Sequence, residues 1–189
     1  MTAVVVGEDY FKKLEETLRS AKSSKKLYKV IVNAPFDDRT TVTLLGLGIV
    51  VLLLVNRQTG TIDRIALSRT DLARDAMVMS VKPFKSIKIP IGYRGNFIAE
   101  TIRSGRYQQT SDWQYLFAPD LSPDEARLNQ AGAGIACSFI YPLKALDGGA
   151  LIFSYYVPLN KISLEHKNFM FRYSKLVASS LSSARKPSR

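Results

Sequence analysis

The chain has 189 residues, 46% of them hydrophobic and 23% charged. These are the proportions of a soluble globular protein of one domain, large enough to fold without a disulfide scaffold. It holds one cysteine, Cys137, which excludes an intrachain disulfide and favours a reducing, cytoplasmic setting. The formal net charge of +11 is shared between residues 82–106 and 161–189, whereas 107–160 is net acidic. Such an excess attracts nucleic acid, acidic proteins or anionic lipid, or simply keeps a domain in solution.

The opening MTAVVVGEDYF lacks the basic leader and long apolar run of a secretory signal. A single domain is expected over 8–183, with residues 1–7 and 184–189 as flexible termini. Asp9–Ala21 reads as an amphipathic helix, with Phe11, Leu14, Leu18 and Ala21 on one face. Residues 22–26 break that pattern. Residues 27–34 either continue as helix or are irregular, and Pro35 marks a boundary. Asp37 or Asp38 is placed to cap a short helix running to Leu47.

The apolar run from Val42 to Val55 admits three readings. As a membrane helix it would span only about 21 Å, short of a ~30 Å hydrocarbon core. As a phosphate loop, Gly46-Leu47-Gly48 lacks the third glycine, since Val51 stands in its place, and the β-branched residues follow the glycines instead of preceding them. The remaining reading is a strand over 49–55 that is buried on both faces because it does not alternate. A turn follows at 56–60, and Thr61–Leu67 alternates as the returning strand. Gly46 and Gly48 then mark the exit from a helix or a close approach of backbones.

Further along, Asp71–Val78 predicts a helix, residues 80–88 an irregular basic stretch, and Ile87–Ile91 a strand. Asn96–Arg103 predicts a helix ended by Gly105, followed by a short strand at 107–110. Ser111–Ala131 reads as a long polar, aromatic-bearing loop with one turn of helix after Ser122-Pro123, and loops of that length often bind ligands. Strands at 135–143 and 150–157 flank a turn at Asp147-Gly148-Gly149. Ser163 caps a last helix over 164–181, with Met170, Tyr173, Val177 and Leu181 as its apolar stripe.

Two stretches carry a resemblance. Residues 89–105, IPIGYRGNFIAETIRSG, are similar to the "IPLGxGxxGxVxxTG" segment of GAF domains, with Asp112 where a strand-end aspartate is common. Residues 134–157, GIACSFIYPLKALDGGALIFSYYV, resemble that family's "GIxSxLxVPLxxxGxxxGVLxL" hairpin, with Pro142-Leu143 at the "PL". The resemblance spans about residues 8–183. It implies an α/β (α+β) domain with a central antiparallel sheet of five or six strands, GAF/PAS-like, flanked by helices. The N- and C-terminal helices would pack on one face, and a small-molecule pocket would sit on the other. Such domains are mostly sensors or dimerisation modules.

Catalysis is tested against the same residues. The family's free methionine sulfoxide reductases work through several cysteines, whereas Cys137 stands alone on a strand, as a small core hydrophobe would. His166 is the only histidine, expected at the surface, and with one cysteine it cannot close a zinc site. Bilin-binding relatives follow their cysteine with histidine, but Ser138 follows here. Asn160-Lys161 matches the Asn-Lys pair of cyclic-nucleotide binders without the rest of that pattern.

The expectation is therefore a non-catalytic sensor without a cofactor or metal. Its ligand site would draw on Tyr107, Asp112, Trp113, Tyr115, Phe117, Cys137 and Phe139. Anion or nucleic-acid contacts would come from Lys82, Lys85, Lys88, Arg94, Arg103 and Arg106, joined for nucleic acid by the basic tail Arg185, Lys186 and Arg189. A homodimer seam would be formed by Phe11, Leu14 and Leu18 with Met170, Tyr173 and Val177. The alternatives are a basic module that binds nucleic acid or acidic protein and, below it, a cysteine-dependent reductase.

Overall fold

The structure, a computed structural model, describes residues 6–37, 45–144 and 148–184. Its centre is β1 (Leu47–Asn56), whose residues point alternately to two different cores. Val50, Leu52 and Leu54 enter one core, and Ile49, Val51 and Leu53 enter the other. A strand that is apolar without alternation can be dry on both sides only inside a sheet that has helices on both faces. β1 pairs antiparallel with β2 (Thr61–Leu67) on one edge and with β6 (Gly149–Tyr155) on the other. β3 (Lys88–Pro90), β5 (Cys137–Leu143) and β4 (Gln108–Thr110) complete a six-stranded sheet in the order β3-β2-β1-β6-β5-β4, antiparallel throughout.

One face carries α1 (Glu8–Arg19), α2 (Ser24–Asp37) and the last helix, α7 (Leu164–Ala184). The terminal helices thus share a face, as expected. Their apolar residues are spent inside the chain, however. Phe11, Leu14, Leu18, Met170, Tyr173 and Val177 are each no more than 5% exposed. Phe169 and Tyr173 pack against Phe153 of the sheet, and Phe11 packs against Phe169. These six residues therefore form an intramolecular core, which corrects their assignment to a seam between two copies.

The other face carries α3 (Asp71–Met79), α4 (Phe97–Ser104), α5 (Gln114–Phe117) and α6 (Pro123–Gly132). The loop expected over 111–131 is thus largely α5 and α6. Ser122 caps α6 through a capping box with Glu125, and its buried positions Ala126, Asn129 and Gln130 are too polar to register as an apolar stripe. Lys25 and Lys26, read as a break, lie inside α2, where the Ser23 hydroxyl accepts from Lys26 N–H.

Pro35 also lies within α2 and does not end it. Proline has no N–H to give the carbonyl four residues back, which is that of Ile31. The buried Tyr173 hydroxyl of α7 donates to that carbonyl at 2.7 Å, so the break in the helical ladder is mended from another helix. The expected helix through Leu47 falls mostly on 38–44, outside the described residues, and Leu47 itself opens β1. Asp147 and residues 1–5 and 185–189, the basic tail included, also lie outside them.

The two glycines before β1 have separate reasons. Gly46 takes φ +63° against Val157, a conformation that favours glycine. Gly48 lets α3 close onto β1, since a Cβ there would lie 2.6 Å from Leu72 Cδ1. Gly48→Val should therefore lower unfolding stability by about 1–3 kcal/mol through overpacking. Gly92→Ala, where a Cβ meets nothing within 4 Å, should stay within about 0.5 kcal/mol of the parent. Urea midpoints of the two variants check the pair.

Candidate functional site

Between the sheet and the α3–α6 face lies a cavity of about 50 Å³. Its floor is Ile49, Val51, Ile152 and Ser154 of the sheet, and its walls include Ala76 and Met77 of α3, Ile87, Trp113, Leu116 and Phe117. Trp113 is held by two hydrogen bonds. Its indole N–H donates to Ser138 Oγ at 3.0 Å, and its backbone N–H donates to Gln130 Oε1 at 2.8 Å; Ser138 is in turn bonded to Ser154 at 2.8 Å. Gln130 in turn donates to the carbonyls of Ser111 and Ile135, which locks α6 to the edge of the sheet.

One charged side chain lines this apolar space. Arg64 on β2 is 5% exposed and reaches inward, with its guanidinium 4.3 Å from the Phe117 ring centre. Its Nη2 donates to the Leu116 carbonyl at 3.3 Å, and its Nε–H has no partner among the described residues. Among the described residues no carboxylate stands within ion-pairing distance of it. Burial lowers its pKa to about 10, opposed by the charge of Asp120, so it remains a cation at neutral pH. Asp120 is itself committed, to Lys82 Nζ at 2.7 Å and to the Lys88 backbone N–H at 3.3 Å. Asn129 of α6 also lines the cavity, and its buried side-chain oxygen has no partner. Two unpaired buried polar atoms in one apolar cavity are costly, because each forgoes hydrogen bonds that water would supply.

The structure divides the residues expected at the ligand site. Trp113 and Phe117 line the cavity. Tyr115 stacks on Phe97 at 4.7 Å and is 38% exposed. Asp112 accepts from the Gln114 N–H and pairs with Arg127 at 3.0 Å, so it shapes the start of α5. Cys137 and Phe139 point to the opposite face, into the core beneath α7, and Tyr107 stacks on Tyr141 at 5.3 Å beside that helix. On β5 the odd positions face α7, and Ser138 and Ile140 face the cavity side, so strand parity places Cys137 and Phe139 away from this cavity; Tyr107, just before β4, also lies apart from it. Arg64 and Asn129 were missed because an arginine in an alternating edge-side strand and an asparagine in a polar helix both look like solvated residues.

The basic residues also separate. Lys82 and Lys88 face carboxylates, Asp120 and Asp63, at 2.7 Å and 3.8 Å. Arg94, Arg103 and Arg106 are exposed around α4, and Arg106 borders a different groove from Lys85. Lys85 and Lys88 join Lys25, Lys29 and Arg69 around a groove between α2 and β2, where Asp63 is the acidic lining residue.

His166 is buried, contrary to its expected place at the surface. Its Nδ1 accepts from the Ser163 backbone N–H at 3.1 Å, which leaves Nε2–H to donate to the Leu45 carbonyl at 3.0 Å. Burial lowers its pKa, so the neutral ring is the structural form. Cys137 is buried, as a core residue is expected to be, and burial pushes its thiol up to about 11. No cluster of potential metal ligands occurs among the described residues. Native Cys137 should thus react with iodoacetamide at pH 8 at least ~100-fold more slowly than in 6 M guanidinium, as a time course by mass spectrometry will show.

The arrangement is a GAF-like fold. The GAF domain of an Acinetobacter phosphoenolpyruvate-protein phosphotransferase is similar over 96% of this chain and 95% of its own, at 8% identity and TM-score 0.64. The phycoerythrobilin-bound GAF domain of a cyanobacterial phytochrome is similar over 96% and 97%, at 12% identity and TM-score 0.61. fRMsr of Staphylococcus aureus in its reduced form is similar over 96% and 99%, at 13% identity and TM-score 0.56. No family model and no curated protein sequence matches the chain. No described helix is long and apolar enough to cross a membrane.

Proposed function

We propose that this chain is a non-catalytic sensor domain that takes a small ligand into the cavity between the sheet and the α3–α6 face. The observation that carries this reading is the buried Arg64 guanidinium, whose Nε–H has no partner among the described residues, in a largely apolar cavity. A fold selected for stability alone would fill that space with hydrocarbon. The GAF neighbour that holds phycoerythrobilin supports a binding role for this architecture. A reductase reading finds less support, since the thiol of Cys137 is buried, largely protonated and on the far face from the cavity. A cytoplasmic home suits that free thiol.

The cavity is small, so binding must push its walls apart, and the part with room to move is the half-exposed Met77 side chain of α3. Thermal melts against a panel of organic acids, amino acids, nucleotides and neutral sugars test the reading. At least one compound should raise the melting temperature by about 2 °C or more. Ala76→Leu, which fills the cavity from α3, should abolish that shift. No shift from any compound sinks the sensor reading.

A second reading, binding of nucleic acid or an acidic partner, is favoured by the groove bordered by Lys25, Lys29, Arg69, Lys85 and Lys88. Phosphate contacts there would weaken as counterions compete, so affinity for a labelled RNA should fall roughly tenfold or more between 50 and 200 mM salt. Lys25→Glu combined with Lys29→Glu should flatten that slope. Affinity indifferent to salt removes this reading.

A further inference from the structure

We propose that the cavity selects a compact aliphatic 2-hydroxy monocarboxylate, with Arg64 receiving the carboxylate and Asn129 the hydroxyl. This rests on the sensor reading and names its ligand class. The planar guanidinium fork matches a carboxylate, and its Nε–H is the donor left without a partner. Asp120, the carboxylate whose charge reaches Arg64, makes no ion pair with it and is bonded instead to Lys82 Nζ and to the backbone N–H of Lys88. An anion is therefore the missing component.

The rest of the lining narrows the class. Arg64 is the single cation among the described lining residues, so a second negative charge, as on a dicarboxylate or a phosphate dianion, would be buried without a partner. Ile49, Val51, Ile87 and Ile152 call for a hydrocarbon body. The unpaired oxygen of Asn129 calls for a donor. An ammonium would supply one, but no carboxylate lines the cavity to receive its charge, and it would sit close to a guanidinium. A neutral hydroxyl meets the demand without that repulsion. At about 50 Å³ the cavity is smaller than a body of roughly four to six carbons, so entry requires the half-exposed Met77 side chain to rotate away.

The test is calorimetry on the full chain, with fluorescence of Trp113, the chain's one tryptophan and part of the cavity wall, as a second readout. The probes are 2-hydroxy-4-methylpentanoate, its amide, 4-methylpentanoate, leucine and inorganic phosphate. The hydroxy acid should bind, with its amide weaker by about 30-fold or more and the deoxy acid weaker by about five- to tenfold. Leucine and phosphate should be weaker than the deoxy acid. Arg64→Met should lose acid binding while melting at or above the parent temperature, since it removes an unpaired buried charge. Asn129→Leu should make the hydroxy and deoxy acids equal.

Acid and amide binding the parent within threefold of each other would overturn the carboxylate assignment, with no variant needed. Leucine or phosphate matching the hydroxy acid would overturn the chosen class. If no monocarboxylate of two to nine carbons binds while another metabolite shifts the melt, this inference fails and the sensor reading stands. If nothing shifts the melt, both fail.

Discussion

Everything in this fold follows from one strand that has no wet side. β1 buries alternate residues in two separate cores, so the chain must supply helices to both faces of the sheet. It does so by dividing the work along its length. The first two helices and the last cover one face, and the segments between β2 and β5 cover the other. The first face is closed by aromatic packing around Phe153, Phe169 and Tyr173. The second is covered by short helices with alanine at Ala73, Ala76 and Ala126, which cannot fill the space above the sheet completely. Ala76 lines the cavity that remains.

Into the looser face the sequence puts a cation. Arg64 lies on β2, where the neighbouring strand positions Ile62 and Ile89 are fully buried and apolar. An arginine there works against stability, as a guanidinium gives up its hydration for one carbonyl and two aromatic rings. Sites that break the rules of core packing in this way are where function is most often found. The burial of His166 differs in kind. Both its ring nitrogens are satisfied, by Ser163 and Leu45, so it is a strut between the start of α7 and the chain entering β1.

Much of the fold was legible because hydrophobic period is a strong signal. The apolar run that became β1, its hairpin with β2, the β5–β6 pair and the last helix all follow from it. The two kinds of miss have physical reasons. Pro35 looked like a terminus because sequence cannot show that Tyr173, far along the chain, would serve the carbonyl that proline leaves free. α6 looked like loop because what it buries is amide as much as hydrocarbon, in Asn129 and Gln130. The candidate site was legible only at Trp113 and Phe117. Cys137 and Phe139 lie away from the cavity because neighbours on a strand face opposite ways, and the parity of β5 is set by its pairing with β6. Arg64 was hidden because burial of a charged residue is decided by tertiary packing alone.

The placement of β1 also bears on how the protein is made. Its partner on one edge, β2, follows within a short turn, but on the other edge Val51 meets Ile152, roughly a hundred residues later. During synthesis the most adhesive ribbon of the chain therefore emerges early and waits with one flank open until β6 leaves the ribosome. A polypeptide interrupted before residue 149 would keep that flank bare and ready to join another like it. The sheet can close only when the last of its long strands has been made.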